Sequence, residues 1–168
     1  SAGVCPENAL DCENATVSAS GYRIYPEKFC TPSKFCSYTF SCKSGYVKRI
    51  QKGSAASSAD VVDYGDTTTP AGSMSTATDI ASCDPGVFKV TLDANGGTGG
   101  TTTMYQKYTV GWYSDESASN ALSTITIPKR DRYTFTGYYI NDIEVVDKDG
   151  IVKPGVSNLF TSDGVITA

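Results

Sequence analysis

Apolar and polar positions alternate with a period of two along much of this chain. In VFKVTLD (residues 87–93), Phe88, Val90 and Leu92 fall on one side, and Lys89, Thr91 and Asp93 on the other. That period belongs to a strand with one buried face. The run stops at Asn95-Gly96-Gly97, which accept positive φ at little cost and predict a sharp turn. TTTMYQKYTV follows as a β-favouring segment, then the apolar pair Trp112-Tyr113. LSTITI (122–127) reads as another strand, with Ile125 and Ile127 inward, stopped by Pro128. Tyr133 and Phe135 alternate with Thr134 and Thr136 and predict one more, ended by Gly137. The pattern predicts a core of Phe88, Leu92, Trp112, Ile125, Ile127, Tyr133 and Phe135. Residues 114–121 (SDESASNA) suit one helical turn, with Ser114 as N-cap and Asp115 and Glu116 in the first turn. Asn141-Asp142 turns the chain into IEVVD, and GVITA reads as a closing strand.

The first half carries shorter signals. Residues 15–25 read as two short strands around Ser20-Gly21. SYTFSC alternates, Ser44-Gly45 turns, and Tyr46-Val47 begins the return. Residues 53–80 are dominated by small and polar side chains, the composition of a linker or a long loop. Within them DVVDY (60–64) has the makings of a short strand. Asp84-Pro85-Gly86 marks the boundary between a module at 1–86 and another at 87–168. The expected fold class is mainly β: a disulfide-stapled β module followed by a second, small β module.

Composition sharpens this picture. Hydrophobic residues make up 39% and charged residues 19% of the 168, too apolar for a wholly disordered chain. The net charge is −4 and neither half has an excess of bases, so the footprint of a nucleic-acid binder is missing. Six cysteines, Cys5, Cys12, Cys30, Cys36, Cys42 and Cys83, all lie in the first half. There is no His and no C-x-x-C pair, so disulfides are expected and a zinc site is not. Six cysteines permit fifteen pairings. Short loops favour Cys5–Cys12 and Cys30–Cys36, and Cys83 must then reach back across the polar tract to Cys42. Disulfides imply an oxidising compartment, extracellular or at the cell surface. No apolar run approaches the roughly 20 residues of a membrane span. Ser1-Ala2 fits either a mature end left by leader removal or a cut in a longer chain. Asn14-Ala15-Thr16 is a formal N-glycosylation acceptor.

Little in the chain points to catalysis. There is no His base, and no Ser or Cys has a visible activating partner. The Gly-rich residues 96–100 lack the Gly-Lys-Ser/Thr of a phosphate loop, so no nucleotide cofactor is expected. Asp147-Lys148-Asp149-Gly150 opens like a calcium loop. Ile151 then breaks the polar spacing, and Asn158 stands where the terminal Glu would be, so a plain turn is expected and no metal. Tyr105, Tyr108, Tyr138 and Tyr139 are the candidate ligand contacts, with stacking faces suited to a glycan.

FKVTLDANGG, GGTTTMYQKY, GWYSD, ITIPKRDRYTFTGYY and DKDGI succeed one another within residues 87–168. In that order they resemble the Listeria–Bacteroides repeat, the B-repeat module of internalin-type bacterial surface proteins. The resemblance implies a β-grasp module, a small curved sheet with a short helical or irregular crossover, on a secreted or surface-attached protein. It implies no catalytic residues. Two features depart from the family: there is one copy, and the chain stops short of the closing aromatic-lysine-tryptophan strand. The expected function is therefore a non-enzymatic extracellular structural or adhesive protein of a bacterial cell surface. Its partners would be other protein subunits, itself included. An incomplete edge at residues 165–168 would let strand addition build a filament. The alternative is a secreted carbohydrate- or protein-binding module that uses exposed aromatics.

Overall fold

The computed structural model describes residues 4–6, 16–17, 22–24, 42–51, 61–63 and 80–168. The described residues are mainly β, with twelve strands and no helix. The chain divides into two compact units, Ser1–Asp84 and Pro85–Ala168.

In the first unit, β1 (Val4–Pro6), β2 (Thr16–Val17) and β3 (Tyr22–Ile24) form a small antiparallel sheet in the order β1-β3-β2. The two short strands predicted around Ser20-Gly21 pair through Thr16 with Ile24 and Val17 with Arg23. A second sheet has the order β5-β4-β6, with β4 at Tyr46–Gln51, β5 at Val61–Asp63 and β6 at Ile80–Pro85. Gly45 has φ +90°, and the Tyr46 amide donates to Lys43 O at 3.0 Å, which makes the turn that precedes β4. Cys42 and Cys83 are joined, with Cα atoms 5.7 Å apart, across the separation of 41 residues that the isolated position of Cys83 predicts. Both cysteines are buried. Cys12, Cys30 and Cys36 lie outside the described residues, as does Asn14; Cys5 falls in β1.

The second unit is built on one six-stranded sheet of order β11-β10-β12-β7-β8-β9. Its strands are β7 (Val87–Asp93), β8 (Thr103–Lys107), β9 (Gly111–Tyr113), β10 (Tyr138–Ile140), β11 (Ile143–Val146) and β12 (Gly164–Thr167). Strand β7 alternates as its sequence predicts: Phe88, Val90 and Leu92 are buried, and Lys89, Thr91 and Asp93 are exposed. Met104, Trp112, Tyr138, Val145, Val146 and Ile166 complete the buried face from the other strands. Val152 and Phe160 cover it, with Leu122, Ile125, Phe135 and Leu159 partly buried against them. The face is thus roofed by irregular chain. Buried Gln106 ties the roof down: its Oε1 accepts from the amides of Leu159 and Phe160, and its Nε2 donates to Phe160 O. Trp112 Nε1 donates to Val156 O at 2.7 Å.

Several sequence expectations fail here for identifiable reasons. Residues 122–127 form no strand, because their backbone bonds go to different segments. Leu122 N donates to Trp112 O, Ile125 N to Gly150 O, and Thr126 O accepts from Thr101 N, so no continuous ladder develops. Ile125 and Ile127 are only partly buried. Residues 133–136 form no strand either. Arg132 sits at φ +67°, which breaks the extended run, and Tyr133 is 64% exposed instead of in the core. No helical turn forms at 114–121. The Asp115 carboxylate takes the amides of Ser119 and Asn120 and the Ser117 hydroxyl, and Ala118 turns at φ +52°.

The tail is also placed differently from expectation. Strand β12 is not an edge: it runs parallel to β7 through Gly164–Val90 to Thr167–Asp93 and meets β10 on its other side. The edges of this sheet are β9 and β11, and nearby chain pairs with each. Outside β9, Ser114 N donates to Asn120 O and Leu122 N to Trp112 O. Outside β11, Lys153 N donates to Val145 O and Asp147 N to Ile151 O.

Candidate binding cleft

The turn after β7 and residues 127–136 face each other across an open cleft of about 660 Å³. One wall is Ala94, Asn95 and Gly97; the other runs from Ile127 to Thr136, with Ala168 at the margin. Asn95 and Gly96 take φ of +50° and +89°, and Gly97 N closes the turn on Ala94 O at 3.0 Å. Thr98 and Lys129 exchange both backbone bonds, at 2.7 and 2.9 Å, and so fasten one wall to the other. Gly100 fits here because a Cβ would lie 2.7 Å from Thr126 O, closer than any side chain tolerates.

Arg130 is held from three sides. Its Nη1 donates to Asn95 O at 2.8 Å, its Cζ lies 3.8 Å from the centre of the Tyr133 ring, and Gly96 leaves it room. A Cβ on residue 96 would come within 3.1 Å of that Cζ. The cation over the ring is a favourable pairing in its own right. Lys129, Arg130 and Arg132 line the cleft, and none of them makes an ion pair with a described residue. Asp131 is the one acid among the lining residues.

Among the described residues the carboxylates with displaced pKa values lie elsewhere, and both are pushed down. The Ser117 hydroxyl and the Asn120 amide hold Asp115 at about 2. Lys153, 2.8 Å away, and then the Tyr139 hydroxyl lower Glu144. Neither has the raised pKa that a general acid needs near neutral pH. At Asp147, Oδ1 accepts the amides of Asp149 and Ile151, so the sequence that opens like a calcium loop is a hydrogen-bonded turn. Among the described residues no group of three or more His, Cys, Asp or Glu side chains is placed to hold a metal ion.

Of the four tyrosines singled out as ligand contacts, one is sealed in the core. Tyr138 is fully buried, packed edge-on to Phe135 at 5.3 Å, and so cannot touch a ligand. Tyr138 pairs with Val146 and Tyr139 with Glu144, which leaves Val145 as the extra residue of a bulge in β11. Tyr139 is half-buried, its hydroxyl within 2.9 Å of Thr136 O and 3.0 Å of Glu144 Oε2. Tyr105 lies opposite Tyr113 and Lys89 on β8, and Tyr108 packs partly against the core. The exposed ring at the cleft is Tyr133, which alternation alone assigns to the core. The contrary signal was PKRDR immediately before it, a run of charges that a buried strand would not carry.

The protein defined by this structure is a mainly β, disulfide-bonded chain in which no described helix is long and apolar enough to cross a membrane. No known protein family matches it, and neither a curated protein nor a solved structure does so.

Proposed function

We propose that this chain is a non-enzymatic extracellular protein of a bacterial cell surface that adheres through the cleft of its second unit. The observation that carries the reading is the Arg130–Tyr133 pair: an anchored cation and an exposed ring, mounted on irregular chain beside the six-stranded sheet. Adhesive contacts favour such rigidly held Arg and Tyr side chains, which lose little freedom on binding. The buried disulfide supports an oxidising compartment. The central parallel pairing of β7 with β12, flanked by antiparallel strands, supports the likeness to a β-grasp repeat of the Listeria–Bacteroides type. Because both sheet edges of this unit already pair with its own chain, association by side-chain contact is favoured over strand addition there. Immunogold labelling of intact producing cells tests the location, and gold confined to the cytoplasm would refute it. Beads coated with the full chain should be retained under flow on an epithelial cell layer, and beads carrying Tyr133→Ala should wash off. Equal retention of the two would remove the cleft from the adhesive role.

A further inference from the structure

We infer that the cleft is a subsite for an acidic saccharide. The carboxylate of one sugar unit pairs with Arg130, supported by Lys129 and Arg132, and an adjoining sugar unit of the same chain lies on the open face of Tyr133. This inference rests on the adhesive reading above and names its ligand class.

Three observations lead to it. First, the Arg130 guanidinium is already oriented by Asn95 O and by the Tyr133 ring, yet it has no carboxylate partner among the described residues. Only Nη1 is engaged in a described hydrogen bond, which leaves the other guanidinium nitrogens free to meet a carboxylate in the two-point geometry that arginine favours. Second, the chain is acidic overall, at −4, whereas Lys129, Arg130 and Arg132 stand against Asp131 alone within four consecutive positions. A local excess of cations on an acidic protein attracts anions to that one place. Third, Tyr133 is 64% exposed with Arg130 on one face, so the other face of its ring is open to a flat partner. The volume of about 660 Å³ is that of a small-ligand site.

An acidic peptide is the competing occupant. It would bind best by pairing its backbone with the wall, but Thr98 and Lys129 already satisfy each other there. Side chains are what the cleft offers: a fork for a carboxylate and a ring for stacking. That combination suits a uronate or a sialate.

Trigalacturonate, its methyl ester, 3′-sialyllactose and hexaglutamate serve as probes, titrated calorimetrically into the full chain. Trigalacturonate or sialyllactose should bind, and the methyl ester should not. Arg130→Lys keeps the charge but loses the fork and should weaken binding at least about tenfold. Tyr133→Ala should do the same. Arg132→Gln should weaken binding less and steepen no other property. Should Arg130→Lys lower the melting temperature, the exposed Tyr133 and Arg132 variants carry the test. Failure of both acidic sugars overturns the inference, as does equal binding of hexaglutamate or full binding by Tyr133→Ala. If the sugars fail while Tyr133→Ala still releases the coated beads, the adhesive reading stands and only the ligand class falls. If the beads also ignore the substitution, both fall.

Discussion

Two side chains in the core show how polar atoms are handled at the scale of the residue. Gln106 is fully buried and meets three backbone groups of Leu159 and Phe160. Gln106→Leu would strand two amides and a carbonyl, each costly once dehydrated. The expected loss is roughly 3 kcal/mol or more, read from urea unfolding followed by Trp112 fluorescence. Tyr138 is the opposite case. Its hydroxyl is buried without a hydrogen-bond partner, and burial, then the charge of Asp93, raises its pKa. Tyr138→Phe removes only that oxygen, so stability should hold or rise by up to about 1 kcal/mol. A clear loss in the same urea measurement would mean that the hydroxyl has a bonding role. Which of Tyr138 and Tyr139 faces inward was not legible in the sequence, because the two rings are adjacent and the choice depends on the strands β11 and β12 that flank β10.

At the scale of the element, the Asp115 turn replaces the helical turn that its sequence suggests. One carboxylate organises Ser117, Ser119 and Asn120, and those bonds pull its pKa from 3.8 to about 2. A depressed folded-state pKa means that the stabilisation is complete above the unfolded value and disappears as pH falls through the folded one. The turn should therefore loosen between about pH 4 and pH 2. Amide shifts of Ser119 and Asn120 should titrate with a midpoint near 2 in the parent and lose that transition in Asp115→Asn. Strand β7 was legible because its alternation and its Asn95-Gly96 turn are local properties. Residues 122–127 alternate equally well, yet their backbone bonds are divided among Trp112, Thr101 and Gly150, and periodicity carries no information about distant partners. The cleft was missed for the same reason. Arg130 becomes a fixed cation only when the chain brings Asn95, 35 residues away, beneath it.

At the scale of the whole molecule, the Cys42–Cys83 disulfide belongs to the first unit and the cluster around Val90 and Ile166 to the second. The bridge between Cys42 and Cys83 closes a loop of 41 residues, which in the chain-entropy picture is worth about 4 kcal/mol. All six cysteines precede residue 84, and among the described residues the clustered core lies beyond it. Replacing Cys42 and Cys83 together by alanine should lower or abolish the unfolding transition of Ser1–Asp84. The transition of Pro85–Ala168 should stay in place, which scanning calorimetry resolves directly. A single transition that shifts as one would show instead that the two units melt together.

The central position of β12 has a consequence for how the protein is made. Gly164 pairs with Val90, 74 positions earlier, and the rows between them fill the sheet outward from that seam. During synthesis, β7, β8 and β9 leave the ribosome well before β12 exists, with Val90 and Leu92 waiting for Ile166. The sheet can close only when residues through Thr167 have emerged, so this unit cannot complete its fold while its own strands are still being made. Contacts this distant along the chain place folding in the range of milliseconds to seconds, about a thousandfold slower than a helical bundle of similar size. For that interval the seam of β7 is an open strand.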